Sequence, residues 1–584
     1  MTRLLDAISS PKELRALALT DLPQLCCELR EAIIDTCARV GGHLGASLGA
    51  VELTVALHRV FKSPFDKIVF DVGHQAYAHK LLTGRAGRMA SLRQAGGVAP
   101  FLDPTESPHD AFGAGHACTA VSVALGLLEA ATLTHSRSRV VAVVGDGAMT
   151  GGLTFEGLNN AGVSRLPLTI VINDNQMSIS RNVGAMPALL KSGAAREFFE
   201  AMGFGYLGPL DGHDLTGLLR AFEQVRRSVL PFVVHCRTQK GKGFGPAEAD
   251  EATRGHAMGP YELRDGKLVR SRGGKRTFSE AFAAALEAVM EKNPKVVVVT
   301  PAMLEGSALG GLKARFPERV FDVGIAEQHA VAFAAGLAAG GLKPVCALYS
   351  TFLQRAYDQV IHDVVLPGLP VIFAIDRAGL VGADGATHQG SYDVAFLRPL
   401  PGLTQMAPVV GEDLLPMLQT ALTLPGPCAL RFPRGTLPAP GALGEGILSE
   451  QPVQGARWLM RASDAELTFV TLGPAGLWAL EAARREARWS VLDARFCQPV
   501  DDAAFELAAA SGCVVTVEEG TVHGGLGSAF LEFCARRGLS PRVRCLGLPD
   551  AFVRHGDARV QRGELGLSAE GLGHAARALL GREL

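Results

Sequence analysis

Asp146 and Asn175 are the first residues whose types and spacing suggest chemistry. Asp146 sits in Gly145-Asp146-Gly147, directly after the β-branched run Val140 to Val144. Asn175 closes Asn173-Asp174-Asn175, after a second apolar run from Leu168 to Ile172. A helix-length stretch lies between the runs, and 29 residues separate Asp146 from Asn175. Two parallel strands joined by a helix bring both residues to the carboxyl edge of one sheet, where open α/β sheets bind ligands. A carboxylate and an amide oxygen there suit a hard cation that keeps its other positions for water and phosphate, as Mg2+ does. Gly147 lets the backbone approach a diphosphate, and a helix starting near Ala148 aims free N–H groups at it. The competing reading is an ordinary turn plus an Asn that caps a loop.

Further candidates lie at similar junctions. His43 follows Gly41-Gly42 at the end of a helix with apolar residues at Leu22, Leu25, Leu29, Ile33 and Cys37. His74 follows Gly73 at the end of the strand-like IVFDV. Gly113-Ala114-Gly115-His116 is expected to open a small-residue helix whose N-terminus can take an anion. From Arg181 to Gly205 the periodicity weakens. TQKGKGFGPAEAD reads as a loop able to close over a ligand or as a linker, and His256 falls in the expected linker between Glu248 and Arg276. Glu327 and His329 open a helix that is apolar almost all round, so burial is expected. Arg377, Asp384 and His388 fall on a polar loop after a strand, and Arg434 ends another strand. Two arginines at strand ends suit bidentate phosphate capture. Glu518-Glu519 and His523-Gly524-Gly525 read as structural or interfacial.

These elements must be held by a large α/β chain. Its 584 residues exceed what one core accommodates, and 48% hydrophobic against 20% charged residues suits a well-buried globular protein. The formal charge of −1 argues against a nucleic-acid or anionic-membrane surface. Eleven cysteines, scattered and without zinc spacing, point to reduced core thiols and a cytoplasmic location. The longest apolar stretch, Ala330 to Leu342, is too short and too rich in Gly and Ala to span a bilayer. Thr436 to Arg457, rich in Pro, Gly and Ala, reads as a linker before a third α/β unit.

Several segments together resemble one family. They are GGHLGASLGAVELTVALH, DVGHQAYAHKLLTGR, FGAGHACTAVSVALG, the GDG…NDN stretch, DVGIAEQHAVAFAAGLA and DRAGLVGADGATHQGSYD. They are similar to the 1-deoxy-D-xylulose-5-phosphate synthases, thiamine-diphosphate enzymes related to transketolase, nearly end to end. DVGHQAYAHK and DRAGLVGADGATHQG separate that family from transketolase itself. The resemblance implies three transketolase-like α/β domains, each a mostly parallel sheet flanked by helices: 1–270 for the cofactor diphosphate and Mg2+, 271–440 for its pyrimidine, and 455–584 at the C-terminus. It implies a homodimer and the condensation of pyruvate with D-glyceraldehyde 3-phosphate, with release of carbon dioxide.

Carried onto this sequence, the resemblance implies that Asp146, Asn175 and the Met177 carbonyl hold Mg2+. It puts Gly115, His116, Ala117, Gly147 and Ala148 along the diphosphate. It implies that Glu327 bonds the aminopyrimidine and that Phe352 stacks on it, with Phe244 and His74 beside the cofactor. It makes His43, His74 and His256 candidates to orient substrates and move protons. Tyr349, Arg377 and Arg434, with Asp384 and His388 nearby, are expected around the phosphorylated acceptor. The resemblance suggests a site built within one chain, in a cleft between domains. One departure stands out: the segment between Ser180 and Leu207 is shorter than in the family by several dozen residues, either naturally or because a mobile loop was removed. A second is Phe244, where relatives often have Tyr. The rival functions are another thiamine enzyme, a transketolase or a pyruvate dehydrogenase component, or a non-catalytic protein that binds a diphosphate ligand.

Overall fold

The structure, a computed structural model, describes residues 3–264, 267–270, 274–444 and 452–582. Two compact units make up the chain. The first holds the described residues up to Arg270 together with Val323–Ala326, and the second holds the rest.

The first unit is built on β1 (Lys67–Phe70), β2 (Val140–Gly145), β3 (Thr169–Asp174), β4 (Gly205–Asp211) and β5 (Phe232–Arg237), in the order β1-β2-β3-β5-β4. All four pairings are parallel. Alternation along the strands sends Val140, Ala142 and Val144 to one core and Val141 and Val143 to another, so the sheet is buried on both faces. A hairpin of β6 (Tyr261–Arg264) and β7 (Lys267–Arg270) follows.

The second unit contains two sheets. The first comprises β8 (Val296–Thr300), β9 (Val320–Asp322), β10 (Lys343–Tyr349), β11 (Ile372–Ala378), β12 (Thr404–Met406) and β13 (Cys428–Pro433). The second comprises β14 (Arg457–Met460), β15 (Leu467–Leu472), β16 (Trp489–Asp493), β18 (Cys513–Thr521) and β19 (Arg542–Leu548), while the intervening β17 (Phe496–Gln498) joins the first, antiparallel to β12. The only other antiparallel pair in these two sheets is β14 with β16. The expected class, mostly parallel sheets flanked by helices, is observed. Part of the expected linker from Thr436 to Arg457, residues 445–451, lies outside the described residues; its flanks Leu443 and Val453 are buried in core.

Four expectations need correction. The weak stretch after Arg181 contains two helices, Ala185–Lys191 and Ala195–Ala201, each too short to show a period. Residues 244–261 are not a linker: Phe244, Ala247, Met258 and Tyr261 are buried in the first unit's core. The helix after Gly115 starts only at Ala120, and its first N–H is already taken. The Asp71 carboxylate accepts from the amides of Cys118 and Ala120 at 2.8 and 3.0 Å. The helix Glu327–Ala339 buries one face only; His329, Ala332, Gly336 and Ala339 are exposed within the chain. Hydropathy all round a helix does not distinguish a core from an interface.

Candidate functional site

At the carboxyl edge of the first sheet, Gly145 pairs with Asn173, which sets Asp146 beside the Asn173-Asp174-Asn175 turn. Asp146 is buried. Its carboxylate accepts from Asn182 Nδ2 at 2.7 Å and from the Asn175 amide at 3.4 Å. Burial, reinforced by the neighbouring Asp174 carboxylate, pushes the Asp146 carboxyl up to about 8. Two close buried acids are costly unless a positive charge offsets them. Asn175 Oδ1 accepts from the Met177 amide at 3.0 Å and folds that residue's backbone into the same turn. One carboxylate, one amide oxygen and a nearby backbone carbonyl form an all-oxygen set that fits Mg2+, and that cation would add its charge to that of the buried Lys240 close to Asp146. Among the described residues there is no cluster of three or more His, Cys, Asp or Glu suited to a metal. A set of this mixed kind falls outside that definition.

A Cβ on Gly147 would stand 2.8 Å from Ser178 Cβ, so glycine is required for the close approach of these turns. The turn after it is a single 3-10 turn, Ala148–Thr150, and the α-helix begins only at Gly152. Lys240, from the TQKGKG loop, donates to the carbonyls of Ser178 and Ile179 at 2.7 and 3.1 Å. Gly115, His116 and Ala117 lie in the turn that Asp71 organises. That turn abuts the His74 loop, where a Cβ on Gly73 would meet Ala114 Cβ at 2.8 Å.

Three histidines distant in sequence come together in this unit. Ring centroids are 5.3 Å apart for His74 and His256, 5.9 Å for His43 and His256, and 6.3 Å for His43 and His74. A reciprocal backbone bridge between Gly42 and Met258 (2.8 and 2.9 Å) ties the His43 turn to the His256 loop. Ser47 Oγ donates to the His74 carbonyl at 3.0 Å. Tyr77 Oη accepts from the His43 amide at 3.1 Å and faces His43 Nδ1 at 3.4 Å. Burial and then Lys240 bring His74 down to about 3, and burial, Lys240 and His74 hold His256 well below its ordinary range. Both are therefore neutral imidazoles at pH 7, each with one nitrogen that donates and one that accepts a hydrogen bond. Phe244 is in the core against Tyr261, with ring centroids 6.2 Å apart, and little of its surface remains for a ligand.

In the second unit Glu327 begins its helix and is buried. Burial raises its pKa, opposed by Arg355, whose Nη1 is 3.5 Å away. A carboxyl in that state can hold and share a proton. Around β10 and β11, Phe352 stacks with Tyr349 at 5.8 Å and meets His388 edge-on at 5.4 Å. The Arg377 guanidinium lies 3.8 Å over the Tyr349 ring. Arg377 has φ +58°, an uncommon left-handed conformation for a residue with a side chain, and its amide is held by Asp376 Oδ1 at 2.7 Å. Arg434 donates to Asp384 at 2.8 Å and remains partly exposed. Tyr349, Phe352, Arg377, Asp384, His388 and Arg434 are thus one cluster. Asp71, Tyr77, Asn182, Lys240 and Arg355 had no signal in the sequence, because each acts through a contact with no local spacing.

A parallel α/β chain with an acid–amide pair at a sheet edge and a buried helix-initial glutamate has the architecture of the transketolase class. Transketolase pyrimidine-binding and C-terminal domain models match residues 274–440 and 456–572. The family model for 1-deoxy-D-xylulose-5-phosphate synthase matches 5–198 and 190–238. A 1-deoxy-D-xylulose-5-phosphate synthase from Myxococcus xanthus is 69% identical over 581 residues, covering 99% of each chain. One from Anaeromyxobacter sp. is 50% identical over 638 residues, covering all of this chain and 99% of its own. Among solved structures, a transketolase from Campylobacter jejuni aligns at TM-score 0.46 and 19% identity, over 97% of this chain and all of its own. The chain belongs to the 1-deoxy-D-xylulose-5-phosphate synthase family. The Myxococcus relative has nearly the same length, whereas the Anaeromyxobacter alignment runs 54 positions beyond this chain's 584 residues. The family-model match divides at 190–198, inside the short segment after Ser180. A relative of matching length favours a natural shortening over an engineered one.

Proposed function

We propose that the chain is a transferase that condenses pyruvate with D-glyceraldehyde 3-phosphate to 1-deoxy-D-xylulose 5-phosphate and carbon dioxide, supplying isoprenoid synthesis. The observation that carries this reading is the buried Asp146 carboxylate beside Asn175 at the sheet edge, in a chain 69% identical to a 1-deoxy-D-xylulose-5-phosphate synthase. Thiamine diphosphate, when bound, supplies the electron sink that lets pyruvate lose carbon dioxide and its remainder join the aldehyde. Asp146, Asn175 and the Met177 carbonyl would hold Mg2+ on the diphosphate. Gly115, His116, Ala117, Gly147 and Ala148 would line it. Glu327, whose pKa burial raises, would hold a proton towards the aminopyrimidine ring, and Phe352 would flank that ring. His43, His74 and His256 orient the substrates and accept or return protons. Arg377 and Arg434 bind the acceptor phosphate, with Tyr349, Asp384 and His388 around it.

The three-domain division at about residues 270 and 455, the homodimer and the cytoplasmic location belong to the same proposal. The exposed stripe of His329, Ala332, Gly336 and Ala339 supports a dimer, since small residues permit close helix packing. No helix among the described residues is long and apolar enough to cross a membrane. The test is to incubate the chain with thiamine diphosphate, Mg2+, pyruvate and glyceraldehyde 3-phosphate. Stoichiometric carbon dioxide and the five-carbon sugar phosphate are expected. Ketol transfer from xylulose phosphate without carbon dioxide would refute the reading in favour of a transketolase.

A further inference from the structure

We infer that Tyr206, His235 and Asp174 are positioning residues that set the metal-holding turn and connect it to the short segment after Ser180. The inference rests on the proposed role of Asp146 and Asn175 as metal ligands. His235 lies on β5, wholly buried. Both of its ring nitrogens are engaged: Nδ1 with Tyr206 Oη at 2.8 Å, and Nε2 with Asp174 Oδ2 at 2.8 Å. An ionised carboxylate only accepts, so His235 Nε2 donates to Asp174, and in the neutral ring Nδ1 then accepts the Tyr206 hydroxyl proton. The other Asp174 oxygen, Oδ1, accepts from the Gln176 amide at 3.2 Å. Gln176 has φ +62°, a left-handed conformation unfavourable for a residue with a side chain, and the bond to Asp174 helps to hold it there.

Both Asp174 oxygens are therefore committed. Asp174 stands immediately before Asn175 and close enough to Asp146 to raise its carboxyl. Left to swing, it would compete with Asp146 as a ligand and displace the Asn175 amide. Held by His235, it clamps the turn that presents Asn175 and Met177. This is how outer partners orient ligands in metal sites, and losing one costs about 10–100-fold in affinity.

The other end of the chain of bonds leaves the site. Tyr206 is stacked on Phe199 at 5.9 Å and 11°, and Arg196 lies 5.2 Å over its ring while donating to its carbonyl at 3.3 Å. Phe199 and Arg196 belong to Ala195–Ala201, the helix where the family match divides. The short segment thus packs on the residue that starts the chain of bonds to the metal turn.

The experiment measures Mn2+ binding to the full chain with thiamine diphosphate, by the electron paramagnetic resonance signal of free Mn2+. Tyr206→Phe keeps the ring and its packing while removing the hydroxyl, and is expected to weaken binding about 3–10-fold. His235→Leu is expected to weaken it about 10–100-fold. His235→Gln, which keeps an N–H for Asp174, should recover much of that loss, as a purely steric role would not. Asp146→Asn is the control and should abolish binding. Abolished binding in Asp146→Asn, with Tyr206→Phe and His235→Leu within twofold of the parent, overturns this inference and leaves the metal reading intact. Unchanged binding in Asp146→Asn overturns both. Should His235→Leu fail to fold, Tyr206→Phe alone decides.

Discussion

Lowering the pH from 7 to 5.5 should destabilise the first unit through the histidines that the fold keeps neutral, which are His74, His256 and His109 and the bonded pair His58 and His79. His58 Nε2 is 2.9 Å from His79 Nδ1, and His79 Nε2 is 2.9 Å from Asp110 Oδ1. Asp110 also accepts two bonds from Arg85 at 2.7 Å. Although burial opposes it, His79 and Arg85 hold Asp110 below the usual carboxylate range, so it does not titrate in this window. With Asp110 ionised, His79 Nε2 donates to it, His79 Nδ1 accepts, and His58 Nε2 donates in turn. His58 Nδ1 is left buried without a hydrogen-bond partner. A proton added there would meet no acceptor. Burial, chiefly, depresses both pKa values, that of His58 furthest, with the adjacent imidazole next for His58. The sign follows from linkage. The unfolded chain binds protons near pH 6.5 and the fold does not, so stability is full above that pH and falls as pH drops towards the depressed values. Between pH 7 and 5.5 an imidazole kept neutral throughout, as His58 is, costs about 1.2 kcal/mol, and the other depressed histidines add to it with the same sign. Urea unfolding at pH 7.0, 6.0 and 5.5, followed by near-ultraviolet circular dichroism, reads the change. His58→Gln keeps the donor to His79 and removes one titrating group, so it should lose about 1.2 kcal/mol of that pH dependence. A parent whose stability is flat across this range, or a variant that keeps the full slope, would refute the tautomer assignment.

Three other outcomes are expected. Glu327→Gln should retain thiamine-diphosphate binding while turnover falls by about 10²–10⁴; steady-state turnover equal to the parent's removes Glu327 from proton transfer. Arg434→Ala should raise KM for glyceraldehyde 3-phosphate by about 10–100-fold, the worth of a charge-assisted bond, and leave KM for pyruvate nearly unchanged. Equal effects on both substrates would take Arg434 out of the acceptor site. Arg457→Ala should cost about 3–5 kcal/mol, because Arg457 bonds the buried Asp413 at 2.6 and 2.7 Å and Asp493 at 2.9 Å. Burial already pushes Asp493 up to about 6 with Arg457 in place, and an unaltered thermal unfolding midpoint would contradict the clamp.

What could be read from the sequence was what local pattern encodes. The five-residue aliphatic run before Asp146 and the run before Asn173 announce buried parallel strands, and the strand ends then place Asp146 and Asn175 together without further information. Glu327 was legible as a charge at the start of an apolar helix. The turn before Ala120 was misread because small residues carry no period: its geometry comes from Asp71, 47 residues earlier. His256 falls where a domain boundary is expected, between Glu248 and Arg276, yet the backbone bridge that fixes it pairs Met258 with Gly42, a partner no local window contains.

The helix Glu327–Ala339 shows why such misses cluster near function. Its composition demanded burial, and the chain buries half of it. The residues left outside, Ala332, Gly336 and Ala339 at intervals of four and three, are too small to gain much from a core and suited to another helix at close range. Glu327 heads that same helix. In the proposed dimer the helix headed by Glu327 would bury its other face against the second copy and so tie the proposed proton transfer to assembly, a dependence that hydropathy cannot express because it scores a core and an interface alike. The short helices after Ser180 pose the same difficulty in smaller form. Neither Ala185–Lys191 nor Ala195–Ala201 has enough turns to be periodic, and what fixes the second of them is the stack of Phe199 on Tyr206, a contact that becomes visible only once β4 and β5 have paired.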